Sequence, residues 1–208
     1  MTGKQKTIIA VLAFVAMVVG TFTYKVFQTS AANIQALIYP SPKTLPAFEL
    51  IAQDNSSFSQ NQLVGKWSFM FFGYTFCPDI CPTTLSDLTA IANDLPADVA
   101  AKSQFVFVSV DPERDTVERM GGYVSFYHPD FIVVTGAADQ IKTLSMSVGA
   151  VYMKVPMGDT YQMQHSGRIF IIDPLGRRFG IFAENEQNPT VLDVDTIRND
   201  LIKIVRNH

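Results

Sequence analysis

The apolar run at 67–73, Trp-Ser-Phe-Met-Phe-Phe-Gly, leads into a loop that holds both cysteines of the chain. Such a run marks a central strand buried on both faces. The loop reads Cys77-Pro78-Asp79-Ile80-Cys81-Pro82, and beyond it Leu85, Leu88, Ile91, Ala92 and Leu95 recur at helical spacing. Pro82 fits a first helical turn, where the N–H it lacks would be without a partner anyway. The order is therefore strand, short loop, helix, with two thiols at the junction.

Around this unit, strands and helices alternate. Strands are expected at 48–53, 104–111, 131–135, 150–155, 168–173 and 179–183, with a polar turn and short helix at 55–65. Helices are expected at 82–94, 137–148 and 194–206. Another starts from Asp115 as N-cap, with Glu118 three residues on, and runs through about Tyr127. Asp173-Pro174-Leu175-Gly176 makes a turn. A β-α-β-α order followed by a hairpin and a final helix is an α/β, thioredoxin-like arrangement with inserted elements. In such sheets the working site lies beyond the carboxyl end of a central strand, which is where the cysteines sit.

With 208 residues, 48% of them hydrophobic, the chain can build one domain plus an appendage. The appendage is N-terminal. Residues 7–24 carry no charge, and as a helix would span about 27 Å, close to the ~30 Å of a bilayer core. Lys4 and Lys6 precede it and Lys25 follows, which favours a cytoplasmic 1–6, a transmembrane anchor at 7–24 and everything later on the exported side, a bacterial periplasm or equivalent. The rival readings are a signal peptide cleaved near Thr29-Ser30-Ala31 and a buried core helix. Residues 25–46, with Pro40, Pro42 and Pro46, read as a linker, leaving 47–208 as the functional domain. A net charge of −3 and no Lys/Arg run beyond Arg177-Arg178 argue against nucleic acid as a partner.

Export favours structural disulfides, but a bridge from Cys77 to Cys81 closes almost no loop and would stabilise little. On a helical turn, Cα atoms four residues apart lie roughly 6.2 Å from each other, which permits a disulfide near the upper end of its range. Two thiolates sharing a metal need sulfurs about 3.7 Å apart, and this spacing suits that better. A helix N-terminus lowers thiol pKa and favours thiolates.

A third ligand has few candidates. The histidines are His128, His165 and His208. His208 is the last residue, and His128 precedes a proline at a helix end, where a structural or surface role is expected. His165 lies in the polar stretch Tyr161-Gln162-Met163-Gln164-His165-Ser166-Gly167, read as a loop entering the strand at Arg168 and bordering the cysteine loop. A loop histidine is more often simply solvated, but no better third ligand is offered. Two soft thiolates and an imidazole suit monovalent copper, with zinc the competitor.

Gly73-Tyr74-Thr75-Phe76-Cys77-Pro78-Asp79-Ile80-Cys81-Pro82, Ser109-Val110-Asp111-Pro112-Glu113-Arg114-Asp115-Thr116, His165 and Asp173-Pro174-x-Gly176 together resemble the Sco/SenC family. The resemblance runs from about Phe48 to the C-terminus. It implies a membrane-anchored, thioredoxin-like copper metallochaperone, handling copper as Cu(I) or Cu(II), that helps assemble the dinuclear copper centre of cytochrome c oxidase. By position, the metal ligands would be Cys77, Cys81 and His165, and the partners the copper-bearing oxidase subunit and a thiol reductant protein. The other reading is a thiol–disulfide reductase in which Cys77 and Cys81 are a redox pair that keeps the oxidase cysteines reduced. A peroxiredoxin-like peroxidase shares the fold, but the segment before Cys77 lacks the proline of the peroxidatic motif. The chain departs from the family pattern at Gln164, where an acidic residue is common.

Several residues carry two readings. Asp79 tunes the thiolates or is a solvated loop carboxylate. Asp111 and Arg114 form a docking surface or serve turn and capping chemistry. Met146, Met153, Met157 and Met163 offer thioethers to copper or fill core. Phe71, Phe72 and Phe76 line the core or the cleft.

Overall fold

The computed structural model describes residues 34–182 and 192–208, together with Gln5, Leu12, Val15, Ala16, Met17 and Gly20, all six of them helical. The chain divides into 1–34 and 35–208. Most of the expected anchor at 7–24 lies outside the described residues, and among those described no helix is long and apolar enough to cross a membrane.

The second unit is built on an eight-stranded sheet in the order β1-β10-β9-β4-β5-β6-β2-β3. The strands are β1 Leu37–Thr44, β2 Glu49–Ala52, β3 Ser57–Ser59, β4 Trp67–Gly73, β5 Ser103–Ser109, β6 Ile132–Thr135, β9 Ile169–Ile172 and β10 Arg177–Phe182. A separate two-stranded sheet pairs β7 Tyr152–Met157 with β8 Thr160–His165. The helices are α1 Ile80–Asn93, α2 Ala97–Ala100, α3 Val117–Ser125, α4 Ala138–Val148 and α5 Val194–Asn207.

β4 is the axis, and all its residues are buried. It runs parallel to β5 from Trp67↔Ser103 to Gly73↔Ser109 and antiparallel to β9 from Ser68↔Ile172 to Phe71↔Ile169. Its backbone is paired on both edges and its side chains are buried on both faces, which is why the run reads apolar throughout. Aromatic pairs tie it to its neighbours: Phe69 to Phe105, Phe71 to Phe107 and Phe72 to Phe170. α1 buries Cys81, Thr84, Leu85, Leu88 and Ile91, an i, i+3/i+4 stripe, and packs against α5.

Three expectations change. The part of the expected linker from Leu37 is strand β1, paired with β10, so the domain starts earlier than residue 47. Its prolines hid it. Pro40 and Pro42 sit where the β1–β10 register shifts between Ile38 and Lys43, on a strand paired along one edge only, where a missing N–H costs no ladder bond. The N-cap of α3 is Thr116, whose side chain accepts from Arg119 N–H, one residue beyond the expected Asp115. Asp115 is instead buried in the interior. Finally, His165 ends β8 and is not in an irregular loop.

Candidate metal centre

Cys77 lies in the turn after β4, where its N–H donates to Tyr74 O at 3.2 Å, and Cys81 is the second residue of α1. Both are buried free thiols. The Cys81 N–H at the helix start donates to Cys77 Sγ at 3.4 Å, so the unsatisfied end of the helix stabilises a thiolate there. β8 brings in His165, half-buried, with Nε2 3.2 Å from Cys81 Sγ. Among the described residues, Cys77, Cys81 and His165 are the group able to hold a metal ion, with ligand atoms all within 4.8 Å of one another. A cleft of about 430 Å³ opens onto Cys77 and His165, lined also by Tyr74, Pro78, Asp79, Ile80, Gln162, Met163 and Gln164, while Cys81 is fully buried behind it.

The imidazole is oriented from two sides. Phe71 and Tyr74 meet it edge-on, with centroids 5.8 and 5.9 Å away. Its Nδ1 lies 3.2 Å from Ser166 O. A carbonyl only accepts, so the Ser166 contact suits the tautomer with its proton on Nδ1, the one that offers Nε2 to a metal. Gln164 is exposed and takes no part, so the backbone carbonyl does the orienting at this end of the ring.

The thiols are not equivalent. Cys77 is pushed down to about 4, chiefly because the Cys81 thiol donates to it, with His165 and the N–H groups of Asp79 and Cys81 adding to the effect against the cost of burial. Burial pushes Cys81 up, and the charge on Cys77 pushes it further. Without metal the pair holds a single negative charge. Alkylation of Cys77 is therefore expected to proceed at a rate that stays flat across the neutral range and falls only as pH approaches 4. A free thiol loses reactivity below its pKa of ~8.5 instead. A rate that climbs steadily to alkaline pH would mean that Cys77 is an ordinary thiol.

The other residues singled out from sequence separate clearly. His128 stacks on Phe131 at 4.9 Å and its Nδ1 accepts from Asp130 N–H, apart from the cluster. His208 packs against Phe179. Asp79 is exposed and makes no capping bond. Of the methionines only Met163 is buried in the cleft wall; Met146, Met153 and Met157 are exposed. Phe71 touches the histidine and Phe72 is core, while Phe76 is exposed beneath the guanidinium groups of Arg114 and Arg119.

The sequence did not mark two supports of the site as such. Asp115, 1% exposed, accepts from Thr75 N–H at 3.0 Å, Thr75 Oγ1 at 2.6 Å and Ser109 Oγ at 2.6 Å, fixing the cysteine loop to the end of β5. Tyr161 Oη donates to buried Asp111 at 2.8 Å. Tyr161 lies four residues before His165 on the same face of β8, a relation visible only once that stretch is known to be a strand.

The SCO1/SenC family model matches residues 39–198. The chain belongs to this family. A protein of Stutzerimonas stutzeri is 38% identical over 148 residues, 70% of this chain and 71% of that one. The mitochondrial SCO1 homolog 1 of Arabidopsis thaliana is 34% identical over 162 residues, 77% of this chain and 47% of that one, so the SCO1/SenC chain described here spans about half of that relative. The crystal structure of Arabidopsis thaliana ScoI with copper bound superposes with a TM-score of 0.69 at 33% identity, over 78% of this chain and 98% of that one. The thioredoxin-like Sco fold thus holds for the described domain.

Proposed function

We propose that this protein is a copper metallochaperone. It holds copper as cargo on Cys77, Cys81 and His165 and passes it to the copper-bearing subunit of cytochrome c oxidase. The observation that carries this reading is the convergence of two sulfurs and an imidazole nitrogen within 4.8 Å, with Cys77 and His165 lining an open cleft. The soft donor set favours monovalent copper, and copper is the metal in the ScoI structure of Arabidopsis thaliana. The oxidase client follows from the family resemblance. The charge-free stretch at 7–24 supports a single-pass anchor with the domain on the exported side. Loading needs both thiolates, so it releases the proton held by Cys81.

The depressed Cys77 thiol also supports the reductase reading. Cys77 thiolate would attack a client disulfide and expel one client thiolate. Cys81 would then displace the second, leaving a Cys77–Cys81 disulfide and two electrons on the client. A thiol reductant protein must regenerate the pair.

Anaerobic titration of the reduced full chain with Cu(I) separates the two. The expected result is one tightly held copper per chain, nearly abolished by Cys77→Ser. Efficient reduction of a disulfide substrate with no copper retained would replace the chaperone reading by the reductase. A truncation at Lys43 is unsuitable for this test because it removes most of β1.

A further inference from the structure

The hairpin that carries His165 is not part of the main sheet. β7 and β8 pair only with each other, from Tyr152↔His165 to Met157↔Thr160. Strand pairing therefore does not hold His165 over the sulfurs. Along β8, Tyr161, Met163 and His165 face inward while Gln162 and Gln164 are exposed. Tyr161 sits roughly 13 Å from His165 along the strand.

At Tyr161 the hairpin meets the 111–114 turn. Tyr161 Oη donates to Asp111 Oδ1 at 2.8 Å and lies 3.4 Å from Glu113 Oε2. Arg114 Nη1 donates to Tyr161 O at 3.1 Å, and the guanidinium lies over the Tyr161 ring, 3.7 Å from its centroid. The guanidinium is itself held by Asp111, Nε to Oδ2 at 2.5 Å. Lys154 of β7 adds a contact over the same ring at 3.9 Å and an ion pair with Glu113 at 2.6 Å. That last pair is exposed and weak. Asp111, 2% exposed, is not. The hydroxyl bond, the carbonyl bond and the stacked fork all grip one residue, and a planar guanidinium makes the last two together where an ammonium cannot.

We propose that Asp111 and Arg114 clamp the histidine hairpin through Tyr161, and that this clamp sets how long the copper site stays closed. Tyr161, Asp111 and Arg114 are positioning residues; none touches the metal ligands. The same turn also carries Asp115, which holds the cysteine loop through Thr75. One short segment, 109–116, thus fixes both arms of the site, the sulfur arm by Asp115 and the nitrogen arm by Asp111 with Arg114. The Arg114 guanidinium also lies over Tyr74 and Phe76 of the cysteine loop, so Tyr161 is the contact through which a client would free the histidine arm alone. The inference rests on the three-ligand copper site.

The test uses the full chain, with Tyr161→Phe, Arg114→Lys and, as a distant ion-pair control, Arg206→Gln. In metal-free protein, hydrogen exchange of amides 152–165 is expected to speed up roughly tenfold in Tyr161→Phe and further in Arg114→Lys, with the β4 amides unchanged. In Cu(I)-loaded protein, copper loss to a chelator is expected to speed up by a similar factor. It should not change further when Tyr161→Phe is added to His165→Ala. Wild-type hairpin exchange in both variants would overturn the clamp. So would a Tyr161→Phe effect on copper loss that persists in full without His165. Should the wild-type chain retain no copper, the chaperone reading falls, and the exchange measurement alone still decides whether the clamp exists.

Discussion

Replacing Gly73 by alanine is expected to destabilise the domain by about 2 kcal/mol and to weaken copper binding at the same time. Gly73 ends β4, and a Cβ built there lies 2.5 Å from Cys81 Sγ and 2.8 Å from Phe107 Cε2. Neither neighbour can yield cheaply. Phe107 is 2% exposed and in contact with Phe71, and Cys81 is fully buried on α1. The methyl group must move the sulfur, and the sulfur is one of the three candidate ligands. Overpacking of this kind costs about 1–3 kcal/mol, against which the smaller backbone entropy of unfolded alanine returns only part. Gly180 gives the comparison. A Cβ there meets Leu37 O at 2.6 Å, so Gly180→Ala strains the β1–β10 pairing and leaves the thiols alone. Urea unfolding paired with copper titration distinguishes them: both variants lose stability, and only Gly73→Ala loses copper. Normal copper affinity in a folded Gly73→Ala chain would show that Cys81 need not sit where it does.

What could be read from sequence follows from how local each signal is. β4 is predicted with its observed bounds because burial on both faces leaves a mark on every residue of the strand. The helix after it is legible through its stripe and Pro82. Cys77 and Cys81 stand out because the chain has no other cysteine, and His165 because the other two histidines sit at a terminus and before a proline. The hairpin that delivers His165 was only half legible: β7 and β8 are polar or exposed at many positions, so their alternation never reaches the contrast of a strand packed on a core. β1 was masked by prolines that only an edge strand accepts. The Asp115 misplacement has a related cause. Asp-x-x-Glu fits a helix start, yet the carboxylate is worth more to the cysteine loop, where it takes three hydrogen bonds, while Thr116 caps the helix. No pattern along the chain records a bond between residues 75 and 115.

Replacing His165 by alanine is expected to lower copper affinity by more than the ~10–100-fold that follows loss of a group that merely orients a ligand. The loss should be unequal between oxidation states. Two thiolates alone satisfy much of what monovalent copper asks of soft donors, whereas the divalent ion depends more on a nitrogen ligand. The Cu(II) form is therefore expected to fail first, and to lose the nitrogen coupling from its electron paramagnetic resonance spectrum while Cu(I) is still held weakly. The fold should survive, since the ring is half-buried and its neighbours Phe71 and Tyr74 are held by β4 and by the loop that Asp115 anchors. The thiol pair should survive too. The first cause of the low Cys77 pKa is the Cys81 thiol, and His165 contributes less than that. Disulfide reduction by the variant should then stay near the wild-type level while copper binding collapses, so one substitution separates the two activities that the same cysteines could serve. Retention of nitrogen coupling in His165→Ala would mean that another residue supplies the third ligand, and the cluster of Cys77, Cys81 and His165 would not be the copper site.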